Sequence, residues 1–170
     1  MWTGGDNQIY GGPGDDRLVV TNEVGATTTS YWALDADHGG YNGLLDGPAG
    51  NNTWFYGINH FTYTGTIDEN DNIRTGDGND SVTTAGGNDI IHSGGGHDTV
   101  DGGAGTDFWY ADRSADDVVD VNLNVVSDLT GGGSVRNMEG FNITAGVGND
   151  SITGFESNSS NDFVYGGDGD

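Results

Sequence analysis

Apolar residues return at every ninth position through the middle of the chain. Divided into nines from Thr66, the sequence reads TIDENDNIR, TGDGNDSVT, TAGGNDIIH, SGGGHDTVD and GGAGTDFWY, ending at Tyr110. The eighth position is large and apolar throughout: Ile73, Val82, Ile91, Val100 and Trp109. The sixth is always aspartate: Asp71, Asp80, Asp89, Asp98 and Asp107. The fourth is Gly78, Gly87, Gly96 and Gly105, with Glu69 in the first block. A nine-residue spacing traces no helical face, but every second repeat can align its apolar residue in a column of stacked short strands. The pattern predicts a strand around each eighth position and a turn at each Gly- and Asp-rich stretch.

The same register recurs outside this run. GGPGDDRLV fills 11–19, after WTGGDNQIY, which carries Asn7 at the aspartate position. AGVGNDSIT fills 145–153 and SNSSNDFVY fills 157–165, separated by Gly154 to Glu156. GGDGD then opens a further repeat and stops, so the chain is expected to be part of something longer. The period lapses twice, which divides the sequence into 1–19, 20–65, 66–110, 111–144 and 145–170. Each lapse ends in a similar phrase, INHFTYTG (Ile58 to Gly65) or MEGFNITAG (Met138 to Gly146), with Phe61 or Phe141 shortly before the next repeat aspartate. A twofold duplication is expected, with both excursions β-rich and packed against the repeats. Alternation of Val119, Val121, Leu123 and Val125 predicts a half-buried strand, and Gly131-Gly132-Gly133 a turn.

Composition changes the picture in one respect. The formal charge is −23, and Leu, Ile, Val and Phe together number 33 of 170 residues. So little apolar surface at such charge does not by itself offset chain entropy, and something besides a hydrophobic core must hold the fold. The acids are 23 Asp against 4 Glu, beside 33 Gly and 17 Asn, a turn-forming vocabulary that also supplies oxygen ligands for a hard cation. Cysteine is absent, which excludes disulfides and thiolate metal sites. The negative charge disfavours nucleic acid, and no apolar run reaches membrane-spanning length. The opening Met-Trp-Thr-Gly-Gly-Asp has neither a basic nor an apolar leader region, so no cleavable signal is expected there.

The motif GGxGxDxUx, with U large and apolar, resembles the RTX (repeats-in-toxin) or haemolysin-type calcium-binding repeats. The resemblance implies an all-β fold, a calcium-binding parallel β-roll in which two repeats complete one coil and GGxGxD forms the turn. It implies several Ca²⁺ ions held by Asp71, Asp80, Asp89, Asp98 and Asp107, and also by Asp16, Asp150 and Asp162. Backbone carbonyls of Gly76, Gly78, Gly87, Gly94, Gly96, Gly103 and Gly105 would complete the ligands. Glu69 and Ser160 depart from the glycine pattern, so sites at those points are expected to be incomplete. The physics agrees: turns two repeats apart would stand about 4.8 Å from one another, stacking like charges that a cation between them converts into ligands.

The first excursion is rich in aromatics: Tyr31, Trp32, Tyr41, Trp54, Phe55, Tyr56, Phe61 and Tyr63. They are expected mainly to supply core that the glycine-rich repeats lack; a glycan-binding face is the alternative. No HExxH, GxSxG, P-loop or EF-hand pattern is present, and His38, His60, His92 and His97 lack zinc-ligand spacing. Acid pairs such as Asp116-Asp117 read as solvated surface in so acidic a chain. The expected function is a non-catalytic calcium-binding module of a larger polypeptide, secreted or cell-surface, that folds when extracellular Ca²⁺ binds. The resemblance implies type I secretion. An adhesin-type module for glycan or cell surface, and a non-catalytic module of a secreted enzyme, are the alternatives.

Overall fold

The computed structural model describes residues 7–21, 30–37, 40–46, 52–67, 69–114, 120–122, 127–128, 133–153 and 162–167, with backbone only within 30–54 and 120–128. All described elements are strands. β1 (Asn7–Tyr10) and β2 (Arg17–Thr21) precede a meander of β3 (Ser30–Asp37), β4 (Gly40–Asp46) and β5 (Asn52–Ile58). β6 (His60–Thr64), β7 (Asn72–Arg74), β8 (Ser81–Thr83), β9 (Gly86–Gly87), β10 (Ile90–Gly94), β11 (Thr99–Asp101), β12 (Ala104–Gly105) and β13 (Phe108–Asp112) follow. A second meander holds β14 (Asp120–Asn122), β15 (Ser127–Asp128) and β16 (Ser134–Arg136), and the chain finishes with β17 (Gly140–Thr144), β18 (Ser151–Thr153) and β19 (Phe163–Tyr165).

Two sheets face each other, one ordered β1-β5-β4-β3-β7-β10-β13-β17-β19 and the other β15-β16-β11-β8-β6-β2. Through the tandem repeats the chain alternates between them, the winding of a parallel β-roll. Ile91 pairs in register with Ile73 on one side and Trp109 on the other. Across the opposite sheet, Val82 aligns with Val100, and Val100 with Val135. All five eighth-position side chains are at most 1 % exposed and line the core between the sheets. The nine-residue spacing therefore does what period-two strands allow: one residue of each short strand points in, and its neighbours point out.

The excursions differ from expectation in where they go. They are spliced into the sheets instead of lying on the outside of the roll. β5 pairs parallel with β1, β4 lies antiparallel between β5 and β3, and β3 pairs parallel with β7. The second excursion follows a similar plan on the opposite side: β15 is antiparallel to β16, and β14, beside β15, pairs parallel with β18 in a separate two-stranded sheet. The expected strand around Val121 is β14, whereas Val119, Leu123, Val125, Gly131 and Gly132 lie outside the described residues.

The two closing phrases occupy equivalent places. Each supplies a five-residue strand, β6 or β17, with two inward apolar residues where the three-residue strands β7, β8 and β11 have one. Phe61 aligns with Leu18 and Tyr63 with Val82; Phe141 aligns with Trp109 and Ile143 with Val164. All four phrase residues are buried, as are Ile58 and Met138 before them. Phe55 is also fully buried and meets Phe61 edge-on, with ring centroids 5.4 Å apart. Phe55, Phe61 and Tyr63 thus serve the core, and Tyr56 stacks on Tyr10 at 4.9 Å. The side chains of Tyr31, Trp32, Tyr41 and Trp54 lie outside the described residues.

Adjacent isoleucines offer a test of the inward–outward alternation. Ile91 is fully buried, whereas Ile90 is 40 % exposed. In calcium-saturated chemical denaturation, Ile91→Ala is expected to cost about 2–5 kcal/mol and Ile90→Ala about 0.5 kcal/mol or less. Equal losses would contradict the strand orientation.

Candidate metal centre

The turns stack along the two edges of the roll. One edge brings together Asp71, Asp89 and Asp107; the other brings together Asp80 and Asp98. All five side chains are at most 2 % exposed. Asp80, Asp89, Asp98 and Asp107 each use Oδ1 to accept a backbone amide one coil earlier: Asp71 N–H donates to Asp89 at 2.8 Å, Asp80 to Asp98 at 3.1 Å, Asp89 to Asp107 at 2.9 Å, and Phe61 to Asp80 at 2.8 Å. With the carboxylates ionised, the second oxygen, Oδ2, of Asp80, Asp89, Asp98 and Asp107 is buried and accepts no hydrogen bond. The same holds for Oδ2 of Asp16, on a half-buried side chain. An orphaned buried carboxylate oxygen carries a desolvation cost of several kcal/mol unless a cation meets it.

Glycine shapes the space between turns. Gly87 has φ 122° and Gly105 has φ 151°, and a Cβ on Gly105 would fall within the carbonyl oxygen of Gly87 one coil below. Carbonyls of successive turns therefore approach the carboxylate row without a side chain between them. Gly76, Gly94, Gly96 and Gly103 also take positive φ, while Gly78 sits against the Asn59 carbonyl. Among the described residues no three His, Asp or Glu side chains form a metal cluster, so a cation here depends on carbonyl as well as carboxylate oxygens. That donor set, all oxygen with carboxylates and carbonyls mixed, fits Ca²⁺.

The outlying aspartates are held more loosely. Asp16 donates its amide to Asn59 Oδ1 at 3.1 Å, and its carbonyl accepts from the Asn59 and His60 amides. Asp162 accepts the Phe141 amide at 3.1 Å, as Asp80 accepts that of Phe61. Asp16, Asp150 and Asp162 are half-buried. At the phrases, Asn59 and Glu139 take the place of the aspartate one coil on: Asp107 N–H donates to Glu139 Oε2 at 2.7 Å, as Asp16 does to Asn59. Glu69, expected to spoil its site, turns Oε2 into the interior with no hydrogen-bond partner. Ser160 lies outside the described residues.

Two further columns support the turns. The fifth repeat position is Asn70, Asn79 and Asn88, and each Oδ1 accepts an amide one coil later: Asn88 N–H at 2.7 Å, His97 N–H at 2.9 Å and Thr106 N–H at 2.9 Å. His60 opens one of these columns, with Nδ1 accepting from the Asn79 amide at 2.9 Å and Nε2 facing Asp15 at 2.8 Å. At the first position Thr75 and Thr84 are fully buried, and their hydroxyls donate to the carbonyls of Ser93 and Gly102. Ser93 Oγ accepts from the Trp109 indole at 3.0 Å, tying the turn to the core. The recurrence of Asn before Asp and of Thr or Ser at position one is visible in the sequence once each position is compared down the repeats.

Burial pushes the Asp80 carboxyl up to about 6, Asp107 to about 7 and Asp98 to about 8. The charge of Asp80 adds to the effect at Asp98, and those of Asp89 and Glu139 add to it at Asp107. Burial raises Asp89 as well. Folded-state values above the unfolded value mean that the folded chain without cations binds more protons. Its stability is greatest below the ordinary aspartate value of 3.8 and declines as pH rises toward about 8. Metal binding needs the ionised forms and runs the other way. The chelated chain is expected to gain β-structure on acidification from pH 8 to 4, while the calcium concentration that half-fills the sites of the folded chain rises over the same interval. Circular dichroism at fixed ionic strength measures the first and calorimetric calcium binding the second; a site affinity independent of pH would contradict the buried-carboxylate account.

The family model for the RTX calcium-binding nonapeptide repeat, written as four copies, matches residues 3–20, 67–100, 74–108, 83–118 and 142–170. No curated protein and no solved structure matches the chain. The matched spans cover more than half of the sequence and contain all eight aspartates singled out by the nine-residue period. RTX repeats bind several Ca²⁺ ions and are typical of secreted proteins. The chain belongs to the RTX calcium-binding nonapeptide repeat family and is a calcium-binding module.

Proposed function

We propose that calcium is the folding switch of this module, and that the module serves a secreted polypeptide by staying unfolded until it reaches extracellular calcium. The row of buried, unpartnered Oδ2 atoms carries this reading. In it, Asp71, Asp80, Asp89, Asp98 and Asp107 hold ions together with the carbonyls of Gly76, Gly78, Gly87, Gly94, Gly96, Gly103 and Gly105, and Asp16, Asp150 and Asp162 extend the rows. Ca²⁺ supplies the positive charge and the tolerance for six to eight oxygen ligands that such turns require. The protein's own part is to place carboxylates one above another and to keep side chains out of the space between them. Extracellular modules of this kind bind at roughly 10⁻⁴–10⁻³ M, concentrations present outside a cell and absent from its cytosol. Binding free energy then becomes folding free energy, which suits passage through a type I exporter as an unfolded chain. We read the module as binding and structural, not catalytic, since its buried acids are spread along two edges and converge on no cleft.

Titration of the chelated chain with CaCl₂, followed by far-ultraviolet circular dichroism with MgCl₂ as control, tests the reading. A cooperative coil-to-β transition in calcium alone is expected. A chain folded in chelator and indifferent to calcium would overturn it. Two acids from the same repeat sharpen the test, because Asp80 is buried and Asp77 is exposed. Asp80→Asn is expected to raise the calcium midpoint severalfold and lower the measured ion count, while Asp77→Asn leaves both unchanged.

A further inference from the structure

The nine-residue register runs on past Tyr110 as ADRSADDVV, residues 111–119, and the family match extends to residue 118. This continuation keeps an aspartate at its sixth position and an apolar residue at its eighth, but contains no glycine. Its second and fourth positions are Asp112 and Ser114, and its third is Arg113. One coil below it lies the 93–98 turn, with the Gly96 carbonyl and the orphaned Oδ2 of Asp98.

Arg113 is 3 % exposed, whereas Arg17, Arg74 and Arg136, the other cationic side chains apart from histidine, are exposed. Burying a guanidinium is costly unless it meets acceptors and opposite charge. Here Nη1 donates to the Gly96 carbonyl, and the positive charge stands near enough to act on the Asp98 carboxylate. The backbone is held as well, with the Arg113 amide donating to Thr144 O at 2.7 Å.

We infer that the Arg113 guanidinium is a built-in cation that closes the edge column of Asp80 and Asp98, occupying the position above the 93–98 turn that a calcium ion would take if another glycine turn followed. An ion at that level would lack a second set of glycine-turn carbonyls, because the second meander begins there. A permanently charged, planar donor needs no such partner: it bonds the carbonyl and sets a positive charge beside the carboxylate from one side. The roll thereby ends one column of ions without leaving its last carboxylate uncompensated.

The inference rests on calcium filling the turns below, and the test separates the two. The calcium midpoint of folding is measured by circular dichroism for the unaltered chain, Arg113→Gln, Arg113→Lys, Asp98→Asn and the Arg113→Gln/Asp98→Asn pair. Arg113→Gln is expected to shift the midpoint severalfold upward, Arg113→Lys to recover most of that shift, and the paired change to cost less than its two parts together. If Arg113→Gln fails to fold at any calcium concentration, recovery of folding in the paired variant still supports the inference, and failure of recovery overturns it. A midpoint unmoved by Arg113→Gln, or moved equally by Arg113→Lys, would reduce Arg113 to packing and overturn the inference while leaving the calcium reading intact. An unaltered chain that does not respond to calcium would overturn both.

Discussion

Stacking identical coils forces identical side chains to stack, and here the repeated side chain is a buried carboxylate. Asp71, Asp89 and Asp107 on one edge, with Asp80 and Asp98 on the other, are shielded from water, and Asp80, Asp89, Asp98 and Asp107 each point one oxygen at an amide of the preceding coil. That hydrogen bond sets the rise between turns and helps hold the parallel register of the strands. It also concentrates negative charge at about one strand spacing, where water does little to screen it. The geometry that aligns Ile73, Ile91 and Trp109 in the core is thus the same geometry that makes the ion-free state costly.

Much of this was legible in the residues because the repeat is short and strict. Aspartate at position six and an apolar residue at position eight recur without exception through 66–110, so the columns followed from winding alone. The Asn70, Asn79 and Asn88 column and the Thr75, Thr84 and Ser93 column were not read from the sequence. Polar turn residues look interchangeable until their neighbours one coil away are known, and hydrogen bonds across eighteen residues leave no local signature. Where Glu69 points was equally hidden, because a missing glycine says nothing of the direction its replacement takes.

The excursions were legible as a duplication but not as strands within the sheets. The phrases gave the equivalence away: Ile58 and Met138, Asn59 and Glu139, Phe61 and Phe141, Tyr63 and Ile143 occupy corresponding places. In each, a phenylalanine stands where the next coil has an aspartate, trading a carboxylate for an inward aromatic. Core burial replaces the buried carboxylate at the two points where the repeat is interrupted. A sequence pattern showing only that the nine-residue period lapses does not reveal which strand the chain will pair with next.

Each meander inserts two strands into one sheet while the opposite sheet gains none at that level. Two strand spacings, roughly 10 Å, are thereby added to one side of the stack only. Repeated on the same face, such wedges would curl the long axis into an arc. The first lies in the sheet of β7, β10 and β13, and the second on the opposite side, between β16 and β18. Wedges on opposite faces tilt an axis in opposing senses, so their effects on its heading subtract where wedges on one face would add. Excursions placed on alternate faces let a solenoid carry bulky insertions and still grow lengthwise.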